Sequence, residues 1–177
     1  MKFTIPGNFL NSNYVDENGR VIYKVNTTVK VPGSKTSISK ILPDDMPRSE
    51  NETDGQSGDR FAHLARIDWK PVNSVFYLGG EEIETEKLFV RREGWLRRKL
   101  TFIWEDGTQY QWISGFRSSD LVLDGELETP VATFHAKNVG GIFGEKRHAD
   151  LEIFSAGESV VDMILVTFIY TEKIRSN

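Results

Sequence analysis

Residues 160–174 form the most apolar stretch of this chain, and their length limits what the chain can fold into. The stretch reads VVDMILVTFIYTEKI and lies close to the end of the 177-residue sequence. A helix that crosses a bilayer needs about 20 mostly apolar residues. Asp162 interrupts the run on one side and Glu172 and Lys173 interrupt it on the other, so the run is too short for a transmembrane segment. The stretch therefore predicts an element buried inside a globular domain.

The same stretch must be either a long buried strand or a buried helix. Its many Val, Ile, Thr, Phe and Tyr residues favour a strand, but more than a dozen residues without a turn signal are long for a strand and usual for a helix. Ser159, followed three positions later by Asp162, resembles a capping box. Lys173 and Arg175 are cations at the end where a helix favours them. Because the stretch has almost no polar face, such a helix is buried on all sides, and we expect a central helix at about 158–172.

Most of the remaining sequence predicts strands joined by tight turns. Asn-Gly at 18–19 and Asp-Gly at 106–107 and 124–125 lie between β-rich runs, and such pairs supply the positive φ angles that a hairpin turn requires. In KLTFIWEDGTQYQWIS, residues alternate between two faces on both sides of the turn, which is typical of half-buried strands. FAHLARIDW, VATFHAKN and ADLEIF predict further strands. The expected fold class is mainly β and antiparallel, with one C-terminal helix.

The chain suits a single domain, residues 1–177, that is long enough to bury a core. After Leu42 the sequence PDDMPRSENETDGQSGDR contains no aromatic and no β-branched aliphatic residue. It cannot bury enough surface to offset the entropy of ordering it. We interpret residues 43–60 as a long flexible surface loop within the domain, because the strand-like FAHLARIDW follows directly.

The composition excludes several classes of function. The net charge is -4, from 22 Lys and Arg against 26 Asp and Glu, whereas nucleic-acid-binding domains are usually basic, so no nucleic-acid partner is expected. The absence of cysteine excludes disulfides, thiolate zinc sites and cysteine nucleophiles. The first residues contain no apolar run long enough for a signal peptide, and we expect a cytoplasmic protein.

The candidate catalytic and metal-binding groups form no known constellation. His63, His135 and His148 stand at no metal-binding spacing. GGIFG at 140–144 lacks the Lys-Ser/Thr ending of a phosphate loop, and the chain contains no Gly-x-Ser-x-Gly elbow. We therefore expect no catalytic residue, no metal and no cofactor.

Four short motifs stand out among the predicted elements: YQW at 110–112, PVATF at 130–134, ADLEIF at 149–154 and VVDMILVTFIYTEKIR at 160–175. They resemble a fungal domain-of-unknown-function family placed beside tubby, the phospholipid scramblases and the plant LURP-one-related proteins. In the last motif Asp162, Thr167 and Arg175 stand at the acidic, threonine and basic positions of that family. The resemblance implies the tubby C-terminal-like fold, an antiparallel β-barrel wrapped around a hydrophobic C-terminal helix.

One segment concentrates positive charge in this acidic chain. The sequence KLFVRREGWLRRK places six basic residues around a tryptophan, and the candidate site consists of Lys87, Arg91, Arg92, Trp95, Arg97, Arg98 and Lys99. Arginine forks match phosphate oxygens, and a Trp among basic residues suits an anionic membrane interface. Tubby domains bind phosphoinositide headgroups through basic residues on the barrel exterior, so the resemblance implies the same ligand class. The alternative is a hairpin whose arginines pair with the neighbouring acidic EEIETE.

Three functions remain open at this point. The first is a non-catalytic binding domain for phosphoinositide or another anionic ligand, cytoplasmic and peripheral at membranes, whose partners are anionic lipid headgroups. The second is a protein–protein interaction or structural module that acts through exposed aromatics such as Trp69, Tyr77 or Trp112. The third is a carbohydrate-binding β-protein, because exposed Trp and Tyr side chains stack on sugars. An enzyme has the least support, since no nucleophile, base and electrophile occur together.

Overall fold

The computed structural model describes residues 1–29, 33–43, 53–54, 59–71, 73–93, 99–125, 129–138 and 147–176, with the backbone alone at 53–54 and 91–93. Within these residues, fourteen strands form one antiparallel sheet and a helix follows the last strand. The predicted mainly β class with a C-terminal helix is confirmed.

The first half of the sheet, which we call the first arm, is a meander in which each strand pairs with the one before it. Its strands are β1 (Lys2–Ile5), β2 (Ser12–Val15), β3 (Val21–Val29), β4 (Ser34–Ile41), β5 (Thr53–Asp54), β6 (Arg60–Trp69), β7 (Val75–Leu78) and β8 (Glu81–Glu84). The exception is β5, a two-residue strand that pairs with the start of β6 while β6 itself pairs with β4. The predicted loop at 43–60 therefore contains this short strand, and most of its other residues lie outside the described part of the chain.

The second arm is another antiparallel meander, and it is joined to the first in the middle of the sheet. After the one-turn helix α1 (Thr85–Leu88) its strands are β9 (Phe89–Glu93), β10 (Lys99–Ile103), β11 (Gln109–Ser114), β12 (Ser118–Leu123), β13 (Thr129–His135) and β14 (Ala149–Ile153). The last strand, β14, pairs with β1 over four residue pairs, from Lys2 opposite Glu152 to Ile5 opposite Ala149. The two arms thus form one sheet with β8 and β9 at its ends.

The two end strands are neighbours in sequence, and this brings the ends of the sheet close together. Only α1 separates β8 from β9, so five residue steps from Glu84 to Phe89 span at most about 18 Å. A sheet whose ends are tethered this closely curls back on itself. No ladder of hydrogen bonds joins β8 to β9 in the described backbone, so the sheet is barrel-like, with a seam at α1.

The apolar stretch at the end of the chain forms α2 (Val161–Arg175), which both arms surround. Ten consecutive residues of α2, Met163–Glu172, are buried. The ring of Phe168 contacts Tyr14 of the first arm and both Trp112 and Phe134 of the second. Because the helix satisfies its own backbone hydrogen bonds, it can fill the apolar interior of the curled sheet without unpaired amides, and packing overrides the β-propensity of its residues.

The start of α2 differs from the prediction. A 3-10 helix, Ser155–Val160, precedes it, and the N-cap residue Val160 makes no side-chain cap, so the predicted capping box is wrong. The carboxylate of Asp162 instead accepts hydrogen bonds from the Tyr23 hydroxyl at 2.5 Å and the Lys40 ammonium at 2.9 Å. Both partners lie on strands of the first arm, and the carboxylate that the capping box would have used fixes α2 to the barrel wall.

Hairpin turns occur at two of the three predicted Asx-Gly pairs, 18–19 and 106–107, in a different form from the one predicted. At the third pair, 124–125, Gly125 has no positive φ, and residues 126–128 lie outside the described part of the chain. Gly19 and Gly107 have φ angles of 82° and 83°, while no other residue type in the described chain has a positive φ. The amide of Gly19 donates to the carbonyl of Asp16 at 3.1 Å, and that of Gly107 donates to the carbonyl of Trp104 at 2.9 Å. Only the glycine of each pair is left-handed, as in a type I turn followed by a bulge, so Asn18 does not need the positive φ that the sequence predicted for it.

Candidate functional site

The basic segment predicted from the sequence runs along the second-arm side of the seam. Lys87 is exposed on α1, and Lys99 is half-buried at the start of β10, opposite Glu93 of β9. The backbones of Arg91 and Arg92 lie on β9, opposite Thr101 and Leu100. The remaining predicted residues, Trp95, Arg97 and Arg98, lie outside the described part of the chain. The geometry of this candidate site therefore rests on its two lysines.

The acidic sequence EEIETE lies across the seam from these lysines. Glu81, Glu82 and Glu84 are exposed on β8, which is the opposite end strand of the sheet. Among the described side chains, neither Lys87 nor Lys99 forms an ion pair with them. The ion-paired alternative for the basic segment thus gains no support from the two lysines whose side chains are described.

A wide cleft opens beside the seam at the start of α2. This seam cleft has a volume of about 910 Å³ and is lined from both arms and from the 3-10 helix. Its floor is apolar and includes Leu64, Leu78, Ile83, Trp104 and Met163. Its rim carries charges of both signs, namely Lys40, His63 and Lys87 with Glu81, Glu105, Glu158 and Asp162. Since Lys40 is already paired with Asp162, the rim does not select an anion.

A smaller pocket with a different charge pattern lies where β12, β13 and the approach to β14 meet. This basic pocket has a volume of about 290 Å³ and is lined by Arg117, Ser118, His135, Ala136, Lys137, Asn138 and Arg147. The amide of Ala136 donates to the carbonyl of Arg117 at 2.9 Å, and Asn138 and Arg147 exchange two backbone hydrogen bonds at 3.0 Å. These bonds hold three segments together that are distant in sequence.

The charged side chains among the described lining residues of the basic pocket, Arg117, Lys137 and Arg147, are all positive. Arg117, Lys137 and Arg147 are exposed and His135 is half-buried, and none of the described lining residues is acidic. Behind them lies the buried Asp150, 2% exposed, with Lys2 at 3.3 Å and Arg147 at 3.7 Å from its carboxylate oxygens. Those oxygens accept no hydrogen bond. Asp150 therefore balances part of the charge of Arg147, while Arg117 and Lys137 face outward without an ion pair among the described residues.

Next to Arg117, a phenylalanine protrudes into solvent. Phe116 is 92% exposed at the turn between β11 and β12. The turn is closed by a 2.8 Å hydrogen bond from the Gly115 amide to the Ser118 carbonyl. The guanidinium of Arg175 donates to the Phe116 carbonyl at 3.0 Å, and the same guanidinium is anchored on the buried Glu172 of α2 at 2.6 Å. Hydrogen bonds therefore hold the backbone in place beneath the exposed ring.

The aromatic surface predicted from the sequence is wrong at Trp112. The side chain of Trp112 is 0% exposed, and its indole N–H donates to the Thr167 hydroxyl of α2 at 2.9 Å. Trp69 is half-buried and its ring stacks on Tyr170 of α2 at 5.8 Å. The half-buried ring of Tyr77 is covered by the guanidinium of Arg66 at 3.8 Å. All three rings therefore have partners within the protein, which weakens the case for a sugar-stacking or partner-binding platform built on them.

The three histidines lie in different places. His63 is on the rim of the seam cleft, His135 lines the basic pocket, and His148 is exposed just before β14. Among the described residues, no group of three or more His, Asp or Glu side chains is arranged to hold a metal ion.

Sequence reasoning did not predict the basic pocket or Phe116. Arg117, His135, Lys137 and Arg147 form no cluster along the chain, and only the register of the sheet brings them together. The local signal that was present is the sequence SGFRSS, where a large apolar residue stands in a polar turn between two strands.

The model of a family of unknown function, DUF6593, matches residues 7–177 of the chain. A comparison with curated proteins and a comparison with solved structures each return no match. In the described part of the chain, no helix combines the length and the apolarity needed to cross a bilayer.

Proposed function

The chain belongs to DUF6593, a family of unknown function, and from its own geometry we propose that it is a non-catalytic binding domain for a phosphate-bearing anionic ligand. The observation that carries the proposal is the basic pocket. Among its described lining residues, Arg117, His135, Lys137 and Arg147 have basic side chains and none is acidic, although the chain as a whole has a net charge of -4. Arginine and lysine at the mouth of a small concave site are the groups that bind phosphate oxygens.

The size and exposure of the pocket favour a headgroup that stays partly in water. At about 290 Å³, it is at the lower limit of small-molecule sites. Its cations are exposed, so their attraction for an anion is screened by salt over about 10 Å at 0.1 M ionic strength. The resemblance to the tubby fold implies a phosphoinositide headgroup, which is the specific ligand we propose, at a site different from the sequence-predicted segment at 87–99.

The basic pocket is a better candidate than the larger seam cleft for this ligand. The seam cleft carries four carboxylates on its rim against three basic side chains, and one of each is used in the Lys40–Asp162 pair. An anion entering that cleft meets like charges, whereas an anion entering the basic pocket meets none among the described lining residues.

Titration calorimetry with inositol trisphosphate as the soluble probe tests the proposal. We expect saturable binding that weakens as salt is added. The double substitution Arg117→Ala with Lys137→Ala removes two cations worth about 1 kcal/mol each near an anionic group, so we expect about thirtyfold weaker binding. Lys70→Ala removes an exposed charge elsewhere and is the matched control, with binding unchanged.

A second double variant, Lys87→Ala with Lys99→Ala, separates the pocket from the sequence-predicted segment. If this variant loses binding while the Arg117 and Lys137 variant keeps it, the basic pocket is not the site. If the wild-type chain binds neither inositol trisphosphate nor inorganic phosphate at low salt, the proposed function is wrong.

A further inference from the structure

We propose that the end of the barrel that carries Phe116 and the basic pocket docks on an anionic lipid bilayer, with the Phe116 ring inserted among the lipids. The proposal rests on the proposed function, since the pocket must accept a phosphate-bearing headgroup. It adds that this headgroup belongs to a membrane, and it assigns the inserting residue.

The first argument is the exposure of Phe116. Of the large apolar side chains described as exposed, it is the most exposed, at 92%, and the others include Val29 at 84% and Val90 at 53%. A single exposed apolar residue is ordinary on a protein surface. A phenylalanine at the tip of a turn is different, because its ring extends beyond the surrounding surface and can enter a neighbouring apolar phase.

The second argument is that the backbone beneath the ring is fixed. The Gly115–Ser118 hydrogen bond closes the turn, and the Arg175 guanidinium binds the Phe116 carbonyl. Arg175 is in turn held by three contacts of 2.6–3.0 Å to the carboxylate of Glu172, whose side chain is fully buried. The ring is therefore presented by the core of the molecule, so insertion requires little ordering of the protein.

The third argument is the charge around the ring. Arg117 is the next residue in the chain, and together with Lys137 and Arg147 it lines the basic pocket. Basic side chains beside an exposed aromatic match the two layers of an anionic membrane, where phosphates lie outside the apolar phase. Because the chain as a whole has a net charge of -4, an anionic membrane repels it on average, and this locally basic end is favoured for contact.

The same charges argue against a second copy of the chain as the occupant. A two-fold dimer joined through this surface would place the same patch on both subunits. Arg117 and Lys137 of one copy would then lie near their counterparts in the other, and like charges at an interface oppose association.

Vesicle co-sedimentation tests the docking. With phosphatidylcholine vesicles that contain phosphatidylserine, we expect wild-type protein to bind, and with pure phosphatidylcholine we expect no binding. Phe116→Ala is expected to weaken vesicle binding at least about tenfold, because the ring no longer enters the apolar phase, whereas Phe116→Trp retains it. Val29→Ala is the matched control, an exposed apolar residue elsewhere, and leaves binding unchanged.

Soluble inositol trisphosphate distinguishes the two proposals. Phe116→Ala is expected to bind this probe as tightly as the wild type, since Phe116 is not among the lining residues of the pocket. If Phe116→Ala also binds phosphatidylserine vesicles like the wild type, insertion is refuted and the proposed function stands. Equal binding to both vesicle types also refutes the docking. A concentration-dependent dimer in light scattering that Phe116→Ala abolishes favours a second copy instead. Absence of binding to both inositol trisphosphate and inorganic phosphate in the wild type refutes the proposed function.

Discussion

The hydroxyl of Thr167 connects the central helix to the wall of the barrel. It accepts the indole N–H of Trp112 at 2.9 Å and donates to the Met163 carbonyl at 2.8 Å, and both Trp112 and Thr167 are fully buried. Thr167→Val keeps the shape of the side chain but leaves the indole N–H without an acceptor. We expect the free energy of unfolding, measured by urea denaturation, to fall by about 1–3 kcal/mol.

The control for this prediction is the same substitution in a Trp112→Phe background. In this background there is no indole N–H that Thr167→Val could leave without an acceptor. The substitution should therefore lower the free energy of unfolding by less than it does in the wild type. The difference between the two costs is the coupling between the residues. An equal cost in both backgrounds would show that the hydrogen bond contributes nothing to stability.

Tyr23 makes the stability of the fold sensitive to alkaline pH. Burial raises the pKa of Tyr23 well above its usual range, and the hydrogen bond to Asp162 and the charge of that carboxylate raise the pKa further. In the unfolded chain a tyrosine ionises near pH 10, so above that pH the unfolded state releases a proton that the folded state keeps. The raised pKa of Tyr23 therefore makes its full contribution to the free energy of unfolding below about pH 10. Above that pH the contribution decreases by up to about 1.4 kcal/mol per pH unit.

Denaturation curves collected at several pH values from 9 upward test whether the free energy of unfolding falls with pH because of Tyr23. The free energy of unfolding of Tyr23→Phe should fall less steeply with pH than that of the wild type, whatever its value at neutral pH. Tyr14→Phe should act in the same direction, because burial, and then the charge of Glu172, raise the pKa of Tyr14 as well. Parallel curves for the wild type and Tyr23→Phe would contradict the prediction.

At the scale of elements, the 3-10 helix before α2 is fitted tightly against β13. A Cβ atom on Gly157 would lie 2.8 Å from the carbonyl oxygen of Val131 and 2.8 Å from Cδ1 of Ile164. The Val131 carbonyl cannot move freely, since it accepts the Phe154 amide at 2.9 Å. We expect Gly157→Ala to lower the free energy of unfolding by about 1–3 kcal/mol through overpacking. Gly157 has no positive φ, so the cost comes from contact and not from backbone conformation.

Gly125→Ala is the matched control for Gly157→Ala. A Cβ atom on Gly125 meets no described atom within 4 Å, and we expect the effect of the substitution to stay within about 0.5 kcal/mol. Thermal unfolding of the two variants and the wild type tests this difference, and only Gly157→Ala should unfold at a lower temperature. A Gly157→Ala protein that unfolds at the wild-type temperature would show that the contact relaxes without cost.

The elements were predictable where their causes are local. The glycines at 19 and 107 end their turns whatever surrounds them, and the apolar run at 160–174 is too long for a strand. The end of a helix depends on more distant groups. Asp162 looked like a capping residue, but its partners Tyr23 and Lys40 lie more than a hundred positions away, so no local pattern shows that the carboxylate is already used. The same limit applies to Trp112, whose face of β11 is determined by the position of α2.

The candidate site belongs to the scale of the whole molecule, and this is why the sequence did not predict it. The pairing of Ser118 with His135 and the bridge between Asn138 and Arg147 bring Arg117, Lys137 and Arg147 to one place. A charge count along the chain finds the contiguous segment at 87–99 instead, because six basic residues within thirteen positions are visible without a fold. Both surfaces remain candidates for the anionic ligand, and the two double variants separate them.

The sheet as a whole is strongest in the middle and weakest at the seam. The central pair, β1 and β14, joins residues about 150 positions apart, and β14 is buried between two neighbours. At one end, β8 pairs with β7 alone and three of its four residues are exposed. The link α1 is anchored through Thr85, whose amide and hydroxyl both donate to the Ser74 carbonyl. Because no described hydrogen bonds join β8 to β9, β8 can open without unfolding the rest of the sheet.

Hydrogen–deuterium exchange resolved by peptide tests this difference. We expect the amides of Ala149–Ile153 to exchange only through global unfolding, and those of Glu81–Glu84 to exchange through local opening, on the order of a hundredfold faster or more. The strand β7, one position in from the end of the sheet, is the internal comparison and should be better protected than β8. In low urea, exchange at β14 should accelerate with the slope of global unfolding, while exchange at β8 should hardly change, since local opening exposes little surface. Equal protection of β8 and β14 would mean that the seam is closed by hydrogen bonds in solution and that the sheet is a complete barrel.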